Sequence, residues 1–275
     1  MTPSLITPVF VVGAGHSGTT IVYRMLSLHP DTAWISQYAA RALAARDASG
    51  PLLAGIDRML RGLIAHSWKK SQYPWARRIA PMPIEAHRVW AFALDEQAGR
   101  DAAVGRIQAV ITRQCRRDGA RVFLAKPPGK YRSRCAPLVA AAFPGARFIH
   151  VVRDGRAVAL SVLEKYRQNG GNQEDPVRRA TRHWIRALEQ VRTYAALLPV
   201  HVMRYEALCA DVHGQMRAAL AFSGLAVDAF PFDRCPPTLV PTNAGRIDAA
   251  SGDELQTITA ALSAHLREYG YAVGA

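Results

Sequence analysis

The chain of 275 residues is poor in cysteine, with only Cys115, Cys135, Cys209 and Cys235, far apart and without a C-x-x-C pair. That spacing gives no sign of a disulfide framework or a thiolate zinc site. Histidines are scattered with no H-E-x-x-H or related pattern, so no metal site is expected. No apolar run reaches the about 18 residues that a membrane helix needs. Met1 to Ser4 lacks the basic start of a secretory leader, and a soluble, cytoplasmic protein is expected. Repeats and low-complexity tracts are absent. Acidic residues are outnumbered, leaving a net charge of +14. Such a surface calls for a polyanionic partner, either nucleic acid or a phosphorylated nucleotide; the alternative is ordinary solvated surface charge. The basic residues are spread along the chain and form no recognised nucleic-acid module, so no nucleic-acid partner is expected.

What the sequence does have is concentrated near its start, in Pro8-Val-Phe-Val-Val-Gly-Ala-Gly-His-Ser-Gly-Thr-Thr-Ile-Val-Tyr-Arg-Met-Leu26. Val9 to Val12 is a short apolar run that reads as a buried strand. Gly13, Gly15 and Gly18 break it, and Thr19 to Leu28 resumes with helical spacing. A strand, a glycine-rich turn and a helix start form an anion cradle, because the first-turn N–H groups have no partner within the helix. Gly13 and Gly18 have the spacing of the nucleoside triphosphate loop, but Thr19 stands where its lysine belongs. That lysine reaches the β/γ-phosphates, so its absence argues against a kinase or ATPase. His16 sits inside the loop, within reach of a transferred group. The alternative is a turn whose glycines serve packing only.

Beyond His29-Pro30-Asp31, Ala33 to Arg46 reads as helix and Asp47 to Pro51 as a break. Leu52 to Leu94 is irregular, mostly helical, and carries Trp68, Tyr73, Trp75 and Trp90, the aromatics of an acceptor pocket or of a helical core. Asp101 to Arg117 is an amphipathic helix, Arg121 to Ala125 a strand, and Lys126 follows at its carboxyl end, where ligands bind in open α/β sheets. Tyr131 to Phe143 is helical and Arg147 to Val152 a buried strand. Arg153 stands at the end of that strand and Ser161 about two helical turns later, a pair suited to one phosphate. The alternative for Arg153 is capping of a neighbouring helix. Pro176 to Leu198 is a long helix, Val200 to Arg204 a strand, Asp211 to Phe222 a helix, and Gly224 to Ala244 a loop. Ser251 opens the last helix, Asp253 to Tyr269, with Glu254 completing a capping box.

With both anion sites in view, the chain resembles the sulfotransferases that use 3′-phosphoadenosine 5′-phosphosulfate, most of all their bacterial branch. The resemblance lies in Gly13-Ala-Gly-His-Ser-Gly-Thr-Thr20, Lys126-Pro-Pro128, Phe143-Pro-Gly-Ala-Arg-Phe-Ile-His-Val-Val-Arg-Asp-Gly-Arg-Ala-Val-Ala-Leu-Ser161, Val202-Met-Arg-Tyr-Glu-Ala-Leu208 and Gly245-Arg246. The alanine and arginine bias is that of a GC-rich, bacterial source. The resemblance implies a single α/β domain over 1–275, with a P-loop-type, mostly parallel sheet flanked by helices. Its nucleotide-binding core would span about 8–30 and 120–270, and an inserted helical acceptor region about 33–100.

The resemblance also implies roles. Gly15, His16, Ser17, Gly18, Thr19 and Thr20 would hold the 5′-phosphosulfate; Arg153 and Ser161 would hold the 3′-phosphate, with Arg246 closing over it. Tyr205 would lie near the adenosine or serve the structure. The reaction would move a sulfuryl group to a hydroxyl of a small organic acceptor, a natural product or glycoside, leaving adenosine 3′,5′-bisphosphate and needing no metal. Relatives usually carry lysine or arginine where His16 stands. A protonated histidine there would donate to the leaving group, and Lys126 would supply permanent charge. Glu85 and His87 are the first candidates for the general base; His29, Asp31 and His150 are weaker, His150 being placed in a buried strand. The oligomeric state is open, a homodimer included. A P-loop kinase or other phosphotransferase, and a polyanion-binding module without turnover, are the competing readings.

Overall fold

The computed structural model describes residues 5–44, 49–63, 80–95, 97, 99–127, 132–168, 175–241 and 247–273. Five parallel strands form one sheet: β1 (Thr7–Val12), β2 (Thr32–Ala33), β3 (Val122–Ala125), β4 (Arg147–Val152) and β5 (Val200–Arg204), in the spatial order β2-β3-β1-β4-β5. Helices cover both faces, so the central strands are mainly apolar, with His150 of β4 a buried exception. Alternate residues serve alternate faces. Phe10, Phe123 and Phe148 point to one core with Trp90 and Tyr194, while Val9, Val11, Leu124, Ile149 and Val151 point to the other with Tyr23, Met25 and Leu26.

The helices are α1 (Thr19–Leu26), α2 (Gln37–Ala44), α3 (Ser49–Leu63), α4 (His87–Ala93), α5 (Arg100–Asp118), α6 (Arg132–Ala142), α7 (Gly155–Gln168), α8 (Pro176–Ala195), α9 (Tyr205–Ala210), α10 (Val212–Ser223) and α11 (Gly252–Glu268). Local chemistry sets several of their ends. Asp175 accepts from the Arg178 N–H at 2.9 Å, with Pro176 following it in the first turn of α8, and Ser251 accepts from the Glu254 N–H at 3.3 Å, as its capping sequence predicts. No described helix is long and apolar enough to cross a membrane.

Two expectations are corrected. Ala33, expected to open a helix, instead forms an edge strand on β3 together with Thr32, and the helix starts at Gln37; two residues carry no period to reveal such a strand. The expected break at 47–51 already holds the start of α3, because proline is tolerated in a first helical turn. Trp90 is core: it is 1% exposed and lies against Phe10, with ring centroids 5.9 Å apart. Trp68, Tyr73 and Trp75 lie outside the described residues.

The region between β2 and β3 is tied down by charge as well as packing. Asp57 of α3 is fully buried and accepts from Ser36 Oγ, from Arg61 Nε at 3.0 Å and from an Arg117 guanidinium N–H at 2.6 Å. Arg61 also lies 3.6 Å over the Trp34 ring and reaches Asp118 at 3.4 Å. Removing one member of such a cluster leaves buried charge uncompensated. Asp57→Ala is therefore expected to lower unfolding stability by about 3–5 kcal/mol, measured by chemical denaturation. The four cysteines are free and buried. Burial pushes the Cys115 and Cys135 thiols up to about 12 and Cys235 up to about 11. At about pH 8 the native protein should resist a thiol reagent and react at all its cysteines only after denaturation.

Candidate active site

The site forms at the carboxyl ends of β1, β3 and β4. From β1 the chain runs to one side of the sheet, through β2 and β3, and then crosses to β4 on the other. Loops after neighbouring strands part at such a switch point, which is where open α/β sheets bind ligands. The loop after β1 is Gly13 to Gly18. A side chain at Gly13 would meet the Val151 carbonyl oxygen at 2.3 Å, and Gly18 has a left-handed φ of 89° with the Tyr205 ring 2.3 Å from where a Cβ would stand. Both glycines are required by close approach. Gly18 caps α1 without a side-chain bond, so no capping side chain covers the amides of Thr19 and Thr20, while the Ile21 N–H donates to the Gly18 carbonyl at 2.9 Å.

Within this loop His16 is exposed, with a left-handed φ of 68°. Ser17 is fully buried, and its hydroxyl has no hydrogen-bond partner among the described residues. Thr19 is buried and Thr20 half-buried at the start of α1. Arg153, 5% exposed at the end of β4, donates to the His16 carbonyl at 3.2 Å. The β1–β4 pairing therefore brings the two expected anion sites against each other. Ser161 is buried on α7, and Arg246 lies outside the described residues.

Tyr205 is 1% exposed beneath the loop, its ring 4.8 Å from the Arg153 guanidinium carbon and filling the space a side chain at Gly18 would need. Its neighbour Glu206 accepts from the Asp154 N–H at 3.0 Å and from the Tyr271 hydroxyl at 2.8 Å. Burial, with the Glu206 charge adding to it, pushes the Tyr271 pKa up, which keeps that donor protonated. The Arg204-Tyr205-Glu206 segment thus supports the turn that carries Arg153.

A second group of side chains meets the loop from the side of β3. Lys126 Nζ donates to Thr20 Oγ1 at 2.8 Å and lies 2.6 Å from Glu85 Oε1, while His87 Nε2 lies 3.3 Å from Glu85 Oε2. Glu85 reaches this position because the Ile84 N–H donates to the Ile35 carbonyl at 3.0 Å. The Tyr23 hydroxyl also sits 3.5 Å from both the Ile84 and Leu124 carbonyls. The Lys126 and Glu85 side chains are 12% and 34% exposed and His87 is 64% exposed, so the group opens to solvent on the His87 side.

The weaker base candidates lie elsewhere. His29 hydrogen-bonds the Ala226 carbonyl at 2.9 Å, and Asp31 accepts from the Arg121 N–H at 2.9 Å, at the amino ends of the strands. His150 is fully buried in β4 with its ring edge-on to Tyr269. His183 of α8, which no motif marked, accepts from the Gly15 N–H through Nε2 at 3.1 Å. Only its position before the buried Trp184 hinted at a packed neighbourhood. The close approach at Gly18 yields a direct test. Gly18→Ala should lower the thermal midpoint by the equivalent of about 1–3 kcal/mol, whereas Gly145→Ala, with nothing within 4 Å, should not.

A model of the Sulfotransferase family matches residues 8–229. No curated protein matches the chain at the level of sequence. Among solved structures, sulfotransferase STF9 from Mycobacterium avium is similar over 98% of this chain and 78% of its own, with a TM-score of 0.59 at 16% identity. The sulfotransferase domain from the curacin biosynthetic pathway matches over 94% of this chain and 98% of its own, with a TM-score of 0.53 at 16% identity. Sulfotransferase STF1 from Mycobacterium tuberculosis H37Rv matches over 98% and 74%, with a TM-score of 0.52 at 17% identity. At such identities the structures speak for the fold alone, while the sequence match reaches from β1 past the end of α10: the chain belongs to the sulfotransferase family.

Proposed function

We propose that this protein is a cytoplasmic enzyme, a single domain, that transfers the sulfuryl group of 3′-phosphoadenosine 5′-phosphosulfate to a hydroxyl of a small organic acceptor. The observation that carries the reading is the chain of contacts Glu85–Lys126–Thr20, which brings a carboxylate and a permanent cation to the mouth of a glycine loop. The residues fit the donor. Ser17 presents a buried hydroxyl that lacks a partner among the described residues, the first turn of α1 presents amides, and Arg153 presents a guanidinium one loop away. A 5′-phosphosulfate on the loop and a 3′-phosphate on Arg153 use both halves, with Ser161 and Arg246 completing the second.

In the reaction the acceptor oxygen forms a bond to sulfur as the bond from sulfur to the bridging oxygen of the 5′-phosphate breaks. The bonding pair leaves with adenosine 3′,5′-bisphosphate, and the acceptor's proton passes to the Glu85 carboxylate. Negative charge grows on the bridging oxygen, and the loop amides, Lys126 and a protonated His16 stabilise it. His87 steadies the second Glu85 oxygen from the open side. The acceptor approaches past His87 and lies between that opening and the loop.

Sulfuryl transfer from labelled donor to a panel of phenols and glycosides tests this assignment. Glu85→Gln is expected to lower kcat by about 100-fold or more, the weight of a positioned general base. Lys126→Met should lower it by a similar factor, through lost leaving-group stabilisation. Adenosine 3′,5′-bisphosphate binding by Glu85→Gln should stay within about threefold of wild type, since the carboxylate holds no donor phosphate. A Glu85→Gln enzyme with wild-type kcat would remove the base from this position.

A further inference from the structure

We propose that His183 is a positioning residue for the donor: with Trp184 beside it, it makes α8 the element that sets the separation of the two anion sites. The inference rests on the donor reading above. His183 Nε2 accepts from the Gly15 N–H at 3.1 Å, across 168 positions of sequence. A ring nitrogen that accepts carries no proton, so the imidazole holds this amide in the tautomer protonated at Nδ1. A Cβ at Gly15 would stand 3.1 Å from that nitrogen and 3.6 Å from the ring Cε1, so the glycine admits the ring to the loop. The next residue of α8 reaches the other site: Trp184 Nε1 donates to the Arg153 carbonyl at 3.1 Å.

Two consecutive residues of one helix therefore grip both loops, His183 the turn after β1 and Trp184 the turn after β4. Trp184 is fully buried, and its ring lies 2.7 Å from where a side chain at Gly155 would stand, so α8 is seated rigidly at this point. Arg153 closes the circuit by donating to the His16 carbonyl at 3.2 Å. Fixed in this way, the Gly15–His16 turn keeps the left-handed backbone that leaves His16 exposed at the mouth of the site. A ligand that spans both loops depends on their separation; one that uses the Arg153 side alone does not. His183 thereby acts on donor specificity without touching the donor itself.

The test is calorimetric titration of the full chain with adenosine 3′,5′-bisphosphate and with 3′-AMP, for wild type, His183→Phe and His183→Gln. Phenylalanine fills the space and removes the acceptor; glutamine restores an acceptor oxygen at a similar reach. His183→Phe is expected to bind the bisphosphate about tenfold more weakly, as the loss of one ordering hydrogen bond gives, with 3′-AMP binding within about twofold of wild type. His183→Gln should recover most of the bisphosphate affinity, and exchange of the Gly15 amide, slowed in wild type and His183→Gln, should accelerate in His183→Phe. Equal bisphosphate binding by wild type and His183→Phe overturns the inference and leaves the donor reading in place. Equal losses in the Phe and Gln variants overturn the hydrogen bond as its cause. Wild type that binds no bisphosphate overturns the donor reading itself, and with it the donor role of His183.

Discussion

The pairing of β1 with β4 is the constraint on which the site depends. Their register, Val9 on Arg147 through Val12 on His150, brings two strands that are far apart in sequence to the same edge of the sheet end. Each then ends in a different kind of turn, a glycine loop opening a helix in one case and a buried arginine in the other. The pairing is held by apolar side chains on both faces, so the catalytic end inherits the rigidity of the core. Gly13 makes the junction possible, because only a residue without a side chain fits against the Val151 carbonyl.

Around that junction the support is layered from several directions. Tyr205 fills the space beneath Gly18 and stacks under Arg153, Glu206 holds the Asp154 amide, and α8 reaches both loops. The opposite wall is built by the segment before α4, which the Tyr23 hydroxyl and the Ile35 carbonyl hold against the ends of β2 and β3. Its carboxylate, Glu85, meets Lys126 there. The loss of the nucleotide-loop lysine at Thr19 is answered by a lysine delivered from another strand, at 2.8 Å from Thr20. That cation comes from the end of β3 and bridges the first turn of α1 to Glu85.

Much of this was legible in the sequence, for a physical reason. The strands β1, β3 and β4 are short, mainly apolar runs, and each is followed by a residue type that seldom continues a buried strand: Gly13, Lys126, Arg153. Where the signal is local, as in the cap at Ser251, position and partner follow from the spacing. The two-residue strand β2 escaped because it has no period, and the start of α3 because Gly50-Pro51 resembles a break. His183 escaped for another reason. Its contact with Gly15 joins residues 168 positions apart, and no spacing along the chain announces it. For Trp90 the sequence left an acceptor pocket and a helical core open, and its packing on Phe10 decides for the core.

In the proposed function, the glycine loop and Arg153 together read one nucleotide with two separated phosphates. Calorimetric titration of wild type and Arg153→Ala with adenosine 3′,5′-bisphosphate, with AMP and magnesium–ATP in parallel, addresses it most directly. Wild type should bind the bisphosphate far more tightly than AMP, and Arg153→Ala should erase most of that preference while AMP binding changes little. Equal or tighter binding of magnesium–ATP by wild type, or a bisphosphate preference that survives Arg153→Ala, would contradict it.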